Sequence, residues 1–272
     1  MRILALLCLV LPLTAIPAQA SPLRCPTPTV TTFHTANTWY ENLEFDGNTI
    51  WLSNLTGNQV EQYRLDGTHL QSINLRAPGA IRKGPGGLYA NFGNDSAETR
   101  DQPSGVVRLT PKPEVWIGGE TLSSANGAEF DARGHLYVAD PFAGLAEFDR
   151  RGNLVRKIDL PAANGVATIG NTVFTTLVFD PSSTIVRITG THQTRIELGA
   201  PDKNLDDLAV GPDGKLYVTA YTSGELIKVD PWTGARCVLL DNLKNPTAAR
   251  FQPGTKTMFV TQASGTVLKV RL

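Results

Sequence analysis

An aromatic residue at the centre of a β-prone segment recurs six times along this chain, and its spacing constrains the fold more than any other feature. The segments are TIWLSN around Trp51, GLYANF around Tyr89, HLYVAD around Tyr137, TVFTTL around Phe174, KLYVTA around Tyr217 and TMFVTQ around Phe259. Successive centres lie 38, 48, 37, 43 and 42 residues apart. A short β-prone run precedes the aromatic, as at Ala128 to Phe130 or Leu208 to Val210, and an alternating run follows after a turn, as at Glu225 to Val229. Weaker fourth runs, such as His69 to Leu75 and Arg236 to Leu240, complete the unit. Short runs of period two bounded by Gly, Pro and Asp read as antiparallel strands. Four strands in roughly forty residues is the period of a propeller blade. A lone blade cannot bury both faces, whereas a ring of blades buries each against its neighbours. The expected fold is all-β: a six-bladed β-propeller of four-stranded antiparallel blades. A β-sandwich would require six in-phase copies by coincidence.

The sixth unit reaches Leu272 in its third strand, and β-prone Thr29 to His34 precedes the first complete unit. This N-terminal strand is expected to close the ring, which removes two exposed sheet edges. Cys25 would then lie at the outer rim, near Cys237 on the outer strand of the fifth blade, and a disulfide between them is expected. Residues 1–20 read as a secretory signal peptide, with Arg2, an apolar run from Ile3 to Ile16, and small residues at Ala18 and Ala20 before the cut. Cys8 leaves with it, so the remaining pair suits an oxidising compartment. Residues 21–272 are expected to form one secreted or periplasmic domain. No later run is long and apolar enough to span a membrane. With 25 basic and 25 acidic residues and no basic stripe, the composition argues against nucleic acid as a partner. The expectation is a monomer acting on a small molecule.

Innermost strands of a propeller line its axis, so the residues just before them gather at one mouth. Reading back about ten residues from the aromatics gives Glu41, Asn126, Asn164 and Asp206, from four different blades. The second blade offers Gly79-Ala80 there, and the sixth Asn245-Pro246-Thr247. Two carboxylates and two amides form a hard-oxygen set suited to a divalent metal ion, with calcium first, magnesium or manganese next, and zinc accessible through O and N donors. The bland alternative is that Asn126-Gly127 and Asn164-Gly165 only make turns. Glu44 and Asp207 are the competing carboxylates; phase favours Glu41 and Asp206, with Asp207 bracing the loop. His34, His69, His135 and His192 are scattered and read as surface or turn residues. The long polar loop from Asn91 to Gly105 reads as a lid or a tip.

In order along the chain stand Glu41-Asn42-Leu43-Glu44-Phe45-Asp46, Asn126-Gly127 ahead of FDARGHLYVAD, Asn164-Gly165-Val166, and Asp206 ahead of PDGKLYV. On these motifs the chain resembles the SMP-30/gluconolactonase/LRE-like six-bladed propellers, from about Trp39 onward. The resemblance implies an axial divalent metal held by Glu41, Asn164 and Asp206, with Asn126 touching substrate or metal-bound water. It also implies hydrolysis of lactones or related esters, for which Asp206 is the candidate general base. Two departures stand out. Ser124 occupies a position where sugar-lactonase members often carry Arg, and Asn42-Leu43 replaces the usual Gly-Pro or Ser-Pro. Two other readings stay open. WYENL, at Trp39 to Leu43, and Asp206-Asp207 are also similar to propellers of secondary metabolism that guide cycloaddition or cyclisation. A non-catalytic ligand-binding propeller with a structural ion is the third.

Overall fold

The computed structural model describes residues 23–94 and 102–272. The leader expected at residues 1–20, and residues 95–101 of the long loop, lie outside them. The described residues contain strands and turns and no helix, hence no helix long and apolar enough to cross a membrane.

Strand β1 (Thr29–Thr35) comes first and belongs to the last sheet. The first four-stranded sheet holds β2 (Tyr40–Asp46), β3 (Thr49–Asn54), β4 (Gln59–Arg64) and β5 (His69–Asn74). The second holds β6 (Ile81–Gly84), β7 (Gly87–Phe92), β8 (Gly105–Arg108) and β9 (Glu114–Ile117). The third holds β10 (Ala128–Phe130), β11 (Leu136–Asp140), β12 (Gly144–Phe148) and β13 (Leu154–Ile158). The fourth holds β14 (Ala163–Ile169), β15 (Thr172–Leu177), β16 (Thr184–Thr189) and β17 (His192–Glu197). The fifth holds β18 (Leu205–Val210), β19 (Leu216–Ala220), β20 (Glu225–Val229) and β21 (Arg236–Leu240). The sixth holds β22 (Pro246–Phe251), β23 (Thr257–Gln262) and β24 (Thr266–Arg271), with β1 outside β24. Thr29 pairs with Arg271 and Thr35 with Thr266, antiparallel. The architecture is a six-bladed β-propeller of four-stranded antiparallel blades.

All six repeat aromatics are buried. They fill the spaces between adjacent sheets, where a strand's inward face meets its neighbour. Trp51 of β3 packs with Ile81, Leu88 and Val107 of the second sheet. Phe174 of β15 packs with Leu216, Val218 and Ile227 of the fifth. Tyr217 of β19 packs with Met258 and Val260 of the sixth. Each aromatic is therefore a wedge between two blades, which is why the sequence repeats it.

Cys25 and Cys237 form a disulfide with their Cα atoms 5.8 Å apart and a sequence separation of 212. It ties the segment leading into β1 to the outer strand of the fifth sheet. Closing so long a loop restricts the unfolded chain strongly. Cys25→Ser is expected to lower unfolding stability by about 2–5 kcal/mol, read by denaturant unfolding with and without reductant. An unchanged midpoint would contradict that role.

Candidate metal centre at the propeller mouth

The mouth is built from irregularities at matching positions on the inner strands. β2 shifts register between Tyr40 and Asn42, bracketing Glu41. β14 shifts between Ala163 and Val166, around Asn164. β18 shifts between Leu205 and Leu208, around Asp206, and β22 between Pro246 and Ala248. A bulge puts one extra residue on a strand and re-aims its side chain. Here four bulges at one level re-aim side chains at the start of β2, β14, β18 and β22, while Asn126 lies just ahead of β10.

Hydrogen bonds between neighbouring blades fix that level. Ser53 Oγ donates to the Gly79 carbonyl at 2.6 Å, and Asn91 Nδ2 to the Asn126 carbonyl at 2.8 Å. The Gly127 amide donates to the Asn164 carbonyl at 3.0 Å. Thr176 Oγ1 donates to the Asp206 carbonyl at 2.6 Å, Thr219 Oγ1 to the Thr247 carbonyl at 2.9 Å, and Thr247 Oγ1 to the Tyr40 carbonyl at 2.7 Å. One bond thus crosses each of the six junctions, so the mouth residues are held by their main chain around the full circle. Backbones approach closely enough to require glycine. A Cβ on Gly127 would lie 2.1 Å from the Asn164 carbonyl oxygen, and one on Gly165 would lie 2.6 Å from Asp207 Cα. The Asn-Gly pairs therefore do more than make turns: the glycine admits the next blade while the asparagine faces the mouth.

Glu41, Asn126, Asn164 and Asp206 all line one cavity of about 460 Å³, together with Trp39, Leu55, Asn94, Val178, Phe179, Asn204 and Tyr221. Glu41 Oε2 accepts from Trp39 Nε1 at 2.7 Å, and Oε1 accepts from Asn94 Nδ2 at 3.0 Å and Asn126 Nδ2 at 3.4 Å. Asn126 Nδ2 also donates to Asn94 Oδ1 at 3.1 Å. Across the mouth, Asn164 Nδ2 donates to Asp206 Oδ1 at 3.0 Å. Asn94 comes from the second blade, where sequence reading found only Gly79-Ala80. It opens the long loop after β7 and carries no repeat phase that would flag it.

The electrostatics lack a cation. Glu41 is 6% exposed and Asp206 8%, and no Lys, Arg or His lines the cavity among the described residues. Burial, then the charges of Glu41 and Asp207, push the Asp206 carboxyl well above the usual carboxylate range, against the Asn164 hydrogen bond. Burial also raises Glu41, opposed by donation from Trp39 and Asn94. Asn164 Oδ1 is buried with no hydrogen-bond partner. A buried acceptor without a partner costs about 1–3 kcal/mol, and buried charges are ordinarily paired or metal-bound. Three oxygen-bearing side chains, two anionic and one an orphaned amide oxygen, fit a hard divalent cation.

Beneath the mouth, two guanidinium groups fill the channel. Arg82 on β6 is 1% exposed. Its Nη1 donates to Asn42 Oδ1 at 2.7 Å, its Nε to the Ala128 carbonyl at 2.5 Å, and its Nη2 to Asp207 Oδ2 at 3.3 Å. Arg250 Nη1 on β22 donates to the Leu208 carbonyl at 2.9 Å. Its Nη2 lies 3.6 Å from both Asp207 Oδ2 and Glu129 Oε2. Asp207 therefore joins a buried ion network and does not brace a loop as expected. Glu129 sits in the same network with its carboxyl pushed up to about 7, chiefly by burial.

A second donor cluster, Asp131, His135 and Glu147, brings its ligand atoms within 4.8 Å of one another. Arg133 lies 2.7 Å from Asp131 Oδ2 and 3.1 Å from Glu147 Oε1, and Arg156 lies 2.7 Å from Glu147 Oε2. Two guanidiniums already neutralise it, so the mouth is the better cation site. His135 Nδ1 donates to Glu147 Oε1 at 2.8 Å and is thus part of this cluster, not an isolated surface or turn residue. His34 is likewise half-buried, its ring 4.7 Å from that of Tyr63. Ser124 is buried, with its amide donating to Asp140 Oδ2 at 2.9 Å.

No family model matches the sequence, and no curated protein matches it. Solved structures do match in fold. A gluconolactonase from Xanthomonas campestris superposes with a TM-score of 0.74 at 18% identity, over 90% of this chain and 89% of that one. Regucalcin, a calcium-binding protein from Agrobacterium tumefaciens, gives 0.70 at 13%, over 88% and 92%. Virginiamycin B lyase from Staphylococcus aureus gives 0.64 at 12%, over 90% and 99%. Neighbours with different activities share this propeller, so the reaction has to be argued from the site.

Proposed function

We propose that this protein is a secreted or periplasmic, divalent-metal-dependent hydrolase acting on a lactone or a related ester. The observation that carries the reading is the orphaned Asn164 Oδ1 beside the buried Asp206 and Glu41, in a cavity without a basic residue among those described. Glu41, Asn164 and Asp206 would hold the ion, with calcium the first choice and magnesium, manganese or zinc also compatible with the donors. The likeness in fold to a gluconolactonase and to a calcium-binding regucalcin supports the same reading. The Cys25–Cys237 disulfide fits an oxidising compartment.

A bound divalent ion supplies Lewis acidity toward an ester carbonyl and neutralises negative charge as it develops. The side chains do the rest. Asn126 and Asn94, locked to each other and to Glu41, present amides that orient the ring ester and the attacking water. Asp206 Oδ1 is engaged by Asn164, leaving its second oxygen to take the proton as water adds to the carbonyl carbon. Collapse of the tetrahedral adduct breaks the ring C–O bond. The same carboxyl then returns its proton to the departing alkoxide, giving the open hydroxy acid.

Hydrolysis of a lactone panel is expected to vanish on chelation and return when calcium is restored, as followed by acid release. Full activity after exhaustive chelation, or a folded, ion-loaded protein inactive on every lactone and ester, would contradict the proposal.

A further inference from the structure

We propose that the cavity selects an uncharged lactone or ester bearing a flat aromatic or other apolar group, and rejects carboxylated or phosphorylated sugar lactones. The choice of a lactone or ester rests on the hydrolase reading above; the selectivity rests on the cavity walls.

The floor and the walls differ in chemistry. Glu41, Asn126, Asn164 and Asp206 are polar and lie at the axis, whereas Trp39, Tyr221, Phe179, Val178 and Leu55 supply an apolar rim. Trp39 and Tyr221 stack with ring centroids 5.7 Å apart and planes 18° apart. The Trp39 indole is fixed by its 2.7 Å bond to Glu41, so this aromatic wall is coupled directly to a candidate metal ligand. A rigid wall loses little freedom on binding a flat group.

Phe179 supplies an independent observation. Its side chain is 71% exposed, and its φ is +61°. The left-handed region costs a non-glycine residue on the order of 1–2 kcal/mol, and an exposed phenyl ring recovers little of that by burial. The Phe179 amide donates to Asn204 Oδ1 at 3.3 Å, and Asn204 also lines the cavity. Strain kept at a cavity edge, holding an apolar ring in water, is the pattern of a binding residue and not of a packing residue.

Charge completes the argument. An anionic substrate would meet Glu41 and Asp206 with no Lys, Arg or His on the described walls to receive its own charge. Arg82 and Arg250 lie in the channel, buried and engaged with Asp207, Glu129 and main-chain carbonyls. One divalent ion can offset the two carboxylates, which leaves no basic side chain among the described lining residues for a substrate phosphate or carboxylate. Ser124, standing where a sugar-lactonase arginine would be, is buried and absent from the lining.

The test is calorimetric binding, in calcium-containing buffer, of three uncleavable lactams: the analogue of dihydrocoumarin, the analogue of glucono-δ-lactone, and the 6-phosphate of the latter. The aromatic lactam is expected to bind at least about tenfold more tightly than the sugar lactam, a modest stacking gain, and the phosphate weakest of all. Tyr221→Ala and Phe179→Ala are each expected to cut that preference several-fold, and Tyr221→Phe to keep it. Equal or tighter binding of the sugar or phosphorylated lactam would overturn the assignment, as would an unchanged preference in both alanine variants. Because lactams are not cleaved, the result holds whether or not the protein turns over lactones. Failure of the pocket assignment is thereby distinguished from failure of the hydrolase reading, which turnover of the parent lactones tests alone.

Discussion

In Asp206→Asn, kcat for lactone hydrolysis is expected to fall by about 10²–10⁴-fold, the range associated with a positioned acid–base group, while the metal-free protein melts at or above the wild-type temperature. The two halves of the result have one cause. Asp206 is held in the folded state beside Glu41 and Asp207, and burial followed by their charges raises its carboxyl well above the usual range. Folding therefore has to desolvate a charge that its surroundings disfavour. Neutralising the residue removes that penalty and keeps an oxygen facing Asn164. The same change removes both an anionic metal donor and the proton acceptor. A structural ion in a non-catalytic propeller predicts the same melting behaviour, because weaker ion binding lowers the ion-loaded melting temperature under either reading, but no turnover to lose. Steady-state kinetics separate the two, and an undiminished kcat would remove Asp206 from the mechanism.

Arg82→Met is expected to be the most destabilising single change in the channel, at about 3–5 kcal/mol. Arg82 reaches from the second blade to Asn42 of the first, Ala128 of the third and Asp207 of the fifth. Its removal leaves Asp207 and Glu129 with Arg250 as their remaining cation, at 3.6 Å from each, and Asp207 with Asn42 Nδ2 as a neutral donor at 2.9 Å. Losing one partner of a buried ion network costs far more than the network gained in forming. Arg82→Lys is expected to recover little, because one ammonium cannot serve carbonyl, amide and carboxylate in three directions. Denaturant unfolding reads the loss; a variant within 1 kcal/mol of wild type, roughly the scale of a surface change, would show that the channel ions are incidental.

The propeller was legible because its order is local. Apart from β1 on β24, each blade pairs strands adjacent in sequence, and each needs one large ring between itself and the next, so Trp51 through Phe259 mark the period directly. The mouth was legible for the same reason: Glu41, Asn126, Asn164 and Asp206 keep the phase of the repeat and share one cavity. What escaped has no phase or no visible partner. Asn94 lies in the irregular loop after β7. Trp39 and Tyr221 lie outside the strands of their own sheets, and only the closed ring brings them together. Arg82 and Arg250 are not singled out by the sequence reading, although a signal was present. Glu44, Arg82, Glu129, Asp207 and Arg250 place a charge on five inner strands, seven to ten residues before the repeat aromatic. Read together they predict a charged channel; read singly, Asp207 passes for a loop brace.

The claim on which the account turns is that side chains from separate blades meet around one ion. Isothermal titration of calcium into the chelator-stripped wild type, Glu41→Gln and Asp206→Asn tests it most directly, with magnesium, manganese and zinc run in parallel. One site per wild-type chain is expected, with affinity lower by at least about tenfold in each variant because one anionic donor is lost. No binding of any of the four ions to the folded wild type, or binding that neither substitution weakens, would contradict it.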